Sequence, residues 1–290
     1  MSRQSPAVKR VAAILEFLAD HPEELMSLSE ISRSAGLSAA TAHAMLNGLA
    51  DEGLLIKDPS SKKYGLGPTL VRLGRAAGAR DDDVQAIAQA EINRLNEEIG
   101  RHIVATRVIG RHVVIVKQAG NVGPWSMTVQ VGHRVEFRPP IGTVFLAWSD
   151  NADVEKWLRQ VDAVASDAAI ARCLEALEGV RRRGYAAARN VAEDNEQRAE
   201  SGQALGAGLD TLLAGEYFLN EIDDEQYYSM IQTAAPVFDA HGQVTLAIAS
   251  SYAGTVISGR SVRAEAEAVV AAAGRVTRCI HGRMPDGLGG

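Results

Sequence analysis

Residues 28–67 read LSEISRSAGLSAATAHAMLNGLADEGLLIKDPSSKKYGLG, and the spacing inside this stretch decides the fold of the N-terminal part of the chain. Ser27 precedes it with Glu30 three residues on, the spacing at which a serine and a glutamate satisfy each other's backbone N–H groups at a helix start. Leu28, Ile31 and Ala35 recur on one side of the helix so begun. Gly36 supplies a turn, and Ser38 caps a third helix whose predicted buried stripe is Ala42, Met45, Leu46 and Leu49. Gly53 closes that helix. Leu54–Lys57 and Lys63–Leu66 then read as two short strands around Asp58-Pro59-Ser60-Ser61. Two helices meeting at a glycine, followed by a hairpin, is the layout of a winged helix-turn-helix, which lays one helix in the DNA major groove and one hairpin on the backbone.

The face of the third helix opposite its apolar stripe carries Ala40, His43, Ala44 and Asn47, with Ser38 and Thr41 at its start. Asparagine and histidine hydrogen-bond base edges, alanines meet thymine methyls, and a helix N-terminus suits a phosphate. Lys57, Lys62 and Lys63 are placed on the hairpin to meet phosphates. An amphipathic helical module with a solvated hairpin and no DNA role would show the same periodicity. A further helix over Pro6–His21 precedes the motif, with apolar positions at Val8, Val11, Ala12, Ile14, Leu15 and Leu18.

The 290 residues, 46% hydrophobic and 23% charged, fit a globular chain of two domains. No apolar run reaches the roughly 20 residues that span a bilayer. Glu16 and Asp20 interrupt the first apolar stretch, which is therefore read as a helix and not as an export signal. A cytoplasmic chain without membrane contact is expected, with Cys173 and Cys279 as free thiols. The net charge of −6 is unevenly spread. Residues 1–80 hold more Lys and Arg than Asp and Glu, whereas the remainder is acidic. That asymmetry fits one polyanion-facing end and disfavours a uniformly basic architectural DNA binder.

Beyond residue 80 the spacing predicts a helix over Asp81–Gly100 and a hairpin of Ile103–Val108 and Val113–Gln118 about Gly110. More strand is expected at Ser126–Val131 and before Pro139-Pro140. Helices are expected over Ala152–Gln160, Ala168–Arg183 and Arg263–His281, with a strand over Val244–Ser251 after the Gly242 turn. Strands flanked by helices imply an antiparallel sheet with helices on its faces, an α+β chain. Catalytic patterns are missing. The seven histidines are scattered without an HExxH or Cys/His cluster, Ser250 and Ser251 lack a GxSxG context, and neither GRHVV nor GLGPT is a phosphate loop. No catalytic residue, cofactor or metal ligand (His133 and His241 included) is expected. The alternative reading is an enzyme whose body is catalytic and whose first module is an accessory.

Taken together, LSEISRSAGLSAATAHAMLNGLADEGLL, YGLGPTLVRLG, VQVGHRVEF followed by IGTVFLAW, LEALEGVRRRGY and AAPVFDAHGQVTLAIASSYAG resemble the IclR family of bacterial transcriptional regulators, in order and over nearly the whole chain. The resemblance implies a winged helix-turn-helix over 1–68, an interdomain helical linker with the first effector-domain helix over 69–99, and a GAF-like effector-binding domain over 100–284. It implies a homodimer or homotetramer, a repressor or activator that binds double-stranded operator DNA, responds to a small-molecule effector and governs a catabolic operon. It places Pro140 and Ile141 beside the effector, together with Asp223 or Asp224, Gln232, Ala249 and Ser251. A few polar groups in a mostly apolar cavity orient a small organic ligand. Because Pro140 and Ala249 offer no side-chain donor, a bulky or aromatic metabolite is expected. Two departures stand out. Ala44 sits where the family often carries arginine, which shifts base reading toward Asn47, His43 and the wing. An insertion at about 190–222, containing NEQRAESGQALGAGLDTLLAGEY, lies beside an aromatic cluster of Tyr217, Phe218, Tyr227 and Tyr228; a lid over the pocket and a peripheral helix are both compatible with its pattern.

Overall fold

Among the described residues, four helices and a two-stranded hairpin build the first of two units into which the chain divides, Met1–Asp82 and Asp83–Gly290. The computed structural model describes residues 5–78, 83–120, 130–138, 141–161, 166–189, 219–252 and 255–285. In the first unit these form α1 (Pro6–Ala19), α2 (Leu28–Ser34), α3 (Ala39–Asp51), β1 (Leu55–Lys57), β2 (Tyr64–Leu66) and α4 (Pro68–Gly78).

Local chemistry sets these boundaries. α1 stops two residues short of the predicted His21 because the His21 Nδ1 meets the Phe17 carbonyl at 2.8 Å and closes the last turn. At α2 the Ser27 Oγ accepts from the Glu30 N–H while the Glu30 carboxylate accepts from the Ser27 N–H, the reciprocal cap its spacing predicts. Gly36, at φ 62°, turns the chain in the left-handed region, where a side chain is strained. Ile14, Leu18, Met26, Ile31, Leu46, Leu49, Leu55 and Tyr64 close the core. Met45 is only half-buried and sits at its edge. The wing strands are shorter than predicted. The Leu54 N–H is taken by the Leu49 carbonyl, and Lys63 follows Lys62 at φ 60°. In return, Tyr64 pairs with Met26 through two hydrogen bonds of 2.8 and 2.9 Å, which pins the wing to the segment before α2.

The second unit runs α5 (Asp83–Ile99), β3 (His102–Ile109), β4 (His112–Ala119), β5 (Arg134–Glu136), α6 (Thr143–Leu146), α7 (Asn151–Val161), α8 (Asp167–Arg183), β6 (Ala186–Arg189), β7 (Tyr227–Phe238), β8 (Val244–Ser251), β9 (Val256–Ser258) and α9 (Gly259–Cys279). Six strands form an antiparallel sheet in the order β5-β4-β3-β8-β7-β6, and β9 pairs with β7 beyond it. Most of the strand expected at Ser126–Val131 lies outside the described residues. Gln130 and Val131 lie in a bend and turn, and the edge strand is Arg134–Glu136, paired with His112–Val114.

Alternation along the strands gives the sheet two different faces. Ile103, Ala105, Ala235, Val237, Leu246 and Ile248 point to one, where α5 and α9 cover them with Ile92, Leu95, Val262, Ala266, Val269 and Ala273. Val104, Ile115, Ala234, Ala247 and Ala249 point to the other, under Val144 and Phe145 of α6. Behind α6, the pair α7–α8 has its own core of Val154, Leu158, Ile170, Cys173, Leu177 and Val180. No helix among the described residues is long and apolar enough to cross a membrane.

Candidate functional site

Two surfaces gather the residues singled out in the sequence. The first is the exposed side of α3 with the wing. Ala40, His43 and Ala44 are exposed and Asn47 half-exposed, while Ala42, Leu46 and Leu49 are buried beneath them. Two of these groups are already engaged with the module itself. The Ser38 Oγ caps α3 by accepting from the Thr41 N–H at 3.2 Å, and it lies 2.8 Å from the Thr41 hydroxyl. Asn47 Nδ2 lies 3.4 Å from the His43 ring nitrogens, and its Oδ1 accepts from the Lys57 Nζ at 3.5 Å.

Lys57 also sits 5.1 Å above the centre of the Tyr64 ring. It leans toward α3 while remaining exposed, between the helix face and the wing. Lys62 and Lys63 are exposed at the tip. The tip itself is ordered by Asp58, whose carboxylate accepts from the Ser60 and Ser61 hydroxyls and from both of their N–H groups at 2.6–3.0 Å. Those bonds, the Ser60 hydroxyl first, hold its pKa well below the usual carboxylate range. Asp58 is thus spent on turn geometry, and the two lysines beside it carry the projecting charge.

The second surface is a cleft between the alanine-rich face of the sheet and the start of α6. Gly142, Thr143, Val144, Ala186, Ala187, Ala188, Gln232 and Ala234 line it. Gly142 enters α6 at φ 82° against the Phe137 ring, with no room for a side chain. Register extends the lining across the sheet. Gln232 lies opposite both Ala188 and Ser251, and Ala234 opposite Ala249.

Comparison with known proteins matches both units of the chain to one family. The model described as the IclR helix-turn-helix domain matches residues 7–59, and the one described as bacterial transcriptional regulator IclR C-terminal matches 77–200. The chain belongs to the IclR family of transcriptional regulators. It is 42% identical over 74 residues to the glycerol operon regulatory protein of Streptomyces coelicolor, a match spanning 26% of this chain and 29% of that protein. It is 25% identical to the HTH-type transcriptional regulator KdgR of Dickeya chrysanthemi over 79% of this chain and 77% of that one. Among solved structures, an IclR homolog complexed with 4-hydroxybenzoate from Microbacterium hydrocarbonoxydans shares the fold at a TM-score of 0.61 and 18% identity, covering 94% of this chain and 98% of that one.

Within this IclR regulator the residues carried over by resemblance separate into two groups. Gln232 lines the cleft, Ala249 and Ser251 face it across the sheet, and Ile141 lies immediately before its Gly142 hinge. Pro140 falls outside the described residues, as does the insertion over 190–218 with Tyr217 and Phe218. Asp223 and Asp224 do not line the cleft. The Asp224 carboxylate accepts from the Arg263 Nε at 3.0 Å, and the Asp223 carboxylate accepts from the Glu225 N–H at 3.0 Å. Both sit at the N-terminal end of α9, where the Asp223 carbonyl packs against Gly259. An acidic run near the closing hairpin looked available to a ligand in the sequence, but an arginine one helical turn into α9 claims it.

Several residues that shape the cleft carried no sequence signal of their own. Arg181, in the RRRGY run, donates from Nε to the Ala147 carbonyl and from NH2 to the Asn151 side chain at 2.6 Å. It fixes the exit of α6 and hence the cleft wall. His102, buried, and Gln118, half-buried, stand on the same sheet face, reached only through the strand register.

Proposed function

We propose that this regulator binds double-stranded operator DNA through α3 and the wing, as a homodimer or homotetramer in the cytoplasm. A small organic effector held in the cleft over Gln232 governs that binding at a catabolic operon. The observation that carries the reading is the exposed α3 face of Ala40, His43, Ala44 and Asn47, flanked by the Lys62-Lys63 tip. A short polar and small-residue helix face reads bases, and a cationic hairpin holds the adjacent backbone. The body supplies regulation and not catalysis. Among the described residues no group of histidine, cysteine or carboxylate side chains is gathered to hold a metal, and the cleft lining offers no nucleophile–base pair.

The effector is mostly apolar, because alanines at 186, 188 and 234 form much of the cleft lining and Gln232 is one of its few polar side chains. The Microbacterium homolog complexed with 4-hydroxybenzoate supports an aromatic ring there.

A mobility-shift assay tests the reading on the intergenic DNA beside the gene, in competition with random duplex. Preference for one fragment, changed by a catabolic intermediate, is the expected result. Equal binding to all fragments would remove the operator-binding claim.

A further inference from the structure

Resting on the effector reading above, we infer that His102 and Gln118 form the polar end of the effector site and that the ligand group they receive is a hydroxyl. Among the described residues neither ring nitrogen of His102 nor the Gln118 Oε1 has a hydrogen-bond partner within 3.5 Å, although all three atoms are shut off from solvent; Gln118 is close enough to favour the charged imidazole but leaves at least one ring nitrogen unanswered. His102 itself is 7% exposed. Buried polar groups without partners are rare in folded proteins and call for an explanation.

Position supplies one. His102 lies opposite Ser251 on β8, Ser251 lies opposite Gln232 on β7, and Gln232 lies opposite Ala188 on β6. These four form one row across the sheet, on the face that carries the cleft. Val104, the next residue on that face of β3, lies opposite both Gln118 and Ala249. With strands about 4.8 Å apart, His102 stands about 10 Å from Gln232 along the row. A ring-sized ligand seated at Gln232 reaches it.

The donor and acceptor inventory selects the ligand group. Burial holds the imidazole neutral and pushes its pKa below the ordinary value, with Gln118 working in the opposite sense. A neutral imidazole offers one N–H donor and one bare nitrogen, and the Gln118 Oε1 adds a second acceptor. A carboxylate or ketone supplies no proton for either acceptor. An ammonium supplies protons but needs a carboxylate, and among the described residues no carboxylate lines the cleft. A hydroxyl accepts from the imidazole N–H and donates to the bare nitrogen or to Gln118, so one atom answers both needs.

The test uses the full chain and matched probes, benzyl alcohol against toluene and 4-hydroxybenzoate against benzoate, in calorimetric titrations of wild type, His102→Leu and Gln118→Leu. Wild type should prefer the hydroxylated member about tenfold or more. His102→Leu should lose that preference while binding the other member as before. The same variant without ligand should melt higher than wild type, because an unpartnered buried imidazole is replaced by an apolar side chain. Gln118→Leu keeps the question answerable if His102→Leu fails to fold. An undiminished preference in both variants, no hydroxyl preference in wild type, or no binding of either pair overturns the inference. Operator preference in the mobility shift is read separately, so loss of the regulatory reading and loss of the hydroxyl assignment are distinguishable.

Discussion

Arg101 forks onto Glu265, with Nε 3.0 Å from Oε2 and NH2 3.1 Å from Oε1, while its guanidinium stacks 5.0 Å above the centre of the Tyr252 ring. The pair joins the end of α5 to the first half of α9, and Arg275 with Glu91, at 2.8 Å, joins the same helices near the far end. Two ion pairs therefore clamp the helical layer that backs the effector face.

Glu265→Ala leaves a half-buried guanidinium without its partner and should cost about 1–3 kcal/mol in urea unfolding. Arg101→Met should cost less, because its methylenes keep covering Tyr252. Equal losses in the two variants would mean that the ion pair alone, and not the packing of Arg101 on Tyr252, holds the clamp.

His102 gives the fold a share of its acid sensitivity. Its folded-state pKa lies below the ordinary value of about 6.5. The unfolded chain therefore takes up this proton first as pH falls, and stability drops from about pH 6.5 down to the folded pKa. Melting temperatures of wild type should decline faster than those of His102→Leu across this window. Parallel curves would place the neutral imidazole in doubt.

The two cysteines should react at very different rates. Cys173 is buried in the α7–α8 core, and desolvation pushes its thiol up to about 11, whereas Cys279 is exposed near the end of α9. Only the thiolate is nucleophilic, so native protein should take up one equivalent of a thiol reagent and unfolded protein two. Fast double labelling of the native chain would show that the α7–α8 pair opens readily.

Replacing Lys62 and Lys63 with glutamine should weaken operator and random duplex alike. The slope of log affinity against log salt should become shallower by roughly two per protomer. A changed preferred sequence with an unchanged slope would assign these residues to base reading.

The reading head was legible because its signals are local. Ser27 and Glu30, Gly36, and the Ala42–Leu46–Leu49 stripe each act within a few residues, and all formed as spaced. The neighbours of Lys57, Asn47 and Tyr64, were not legible because they come from other elements of the module. The cleft was half legible. Gln232, Ala249 and Ser251 sit on strands whose alternation fixes the face they share. His102 and Gln118 join that face only through pairing between β3, β4 and β8, which no local pattern states. Asp223 and Asp224 failed for the converse reason, since Arg263 lies about 40 residues away in sequence yet takes up Asp224.

The alanines at 186, 188 and 234 on the cleft, with Ala249 beside them in the sheet, are where the proposed effector site could most readily change its chemical vocabulary. Each occupies a rigid, hydrogen-bonded strand, so one added methyl or hydroxyl there alters the contour offered to a metabolite without disturbing the ladder beneath. Under the proposed effector reading, substitution at these small residues would redraw the contour met by a ligand, while the separate N-terminal unit is left untouched.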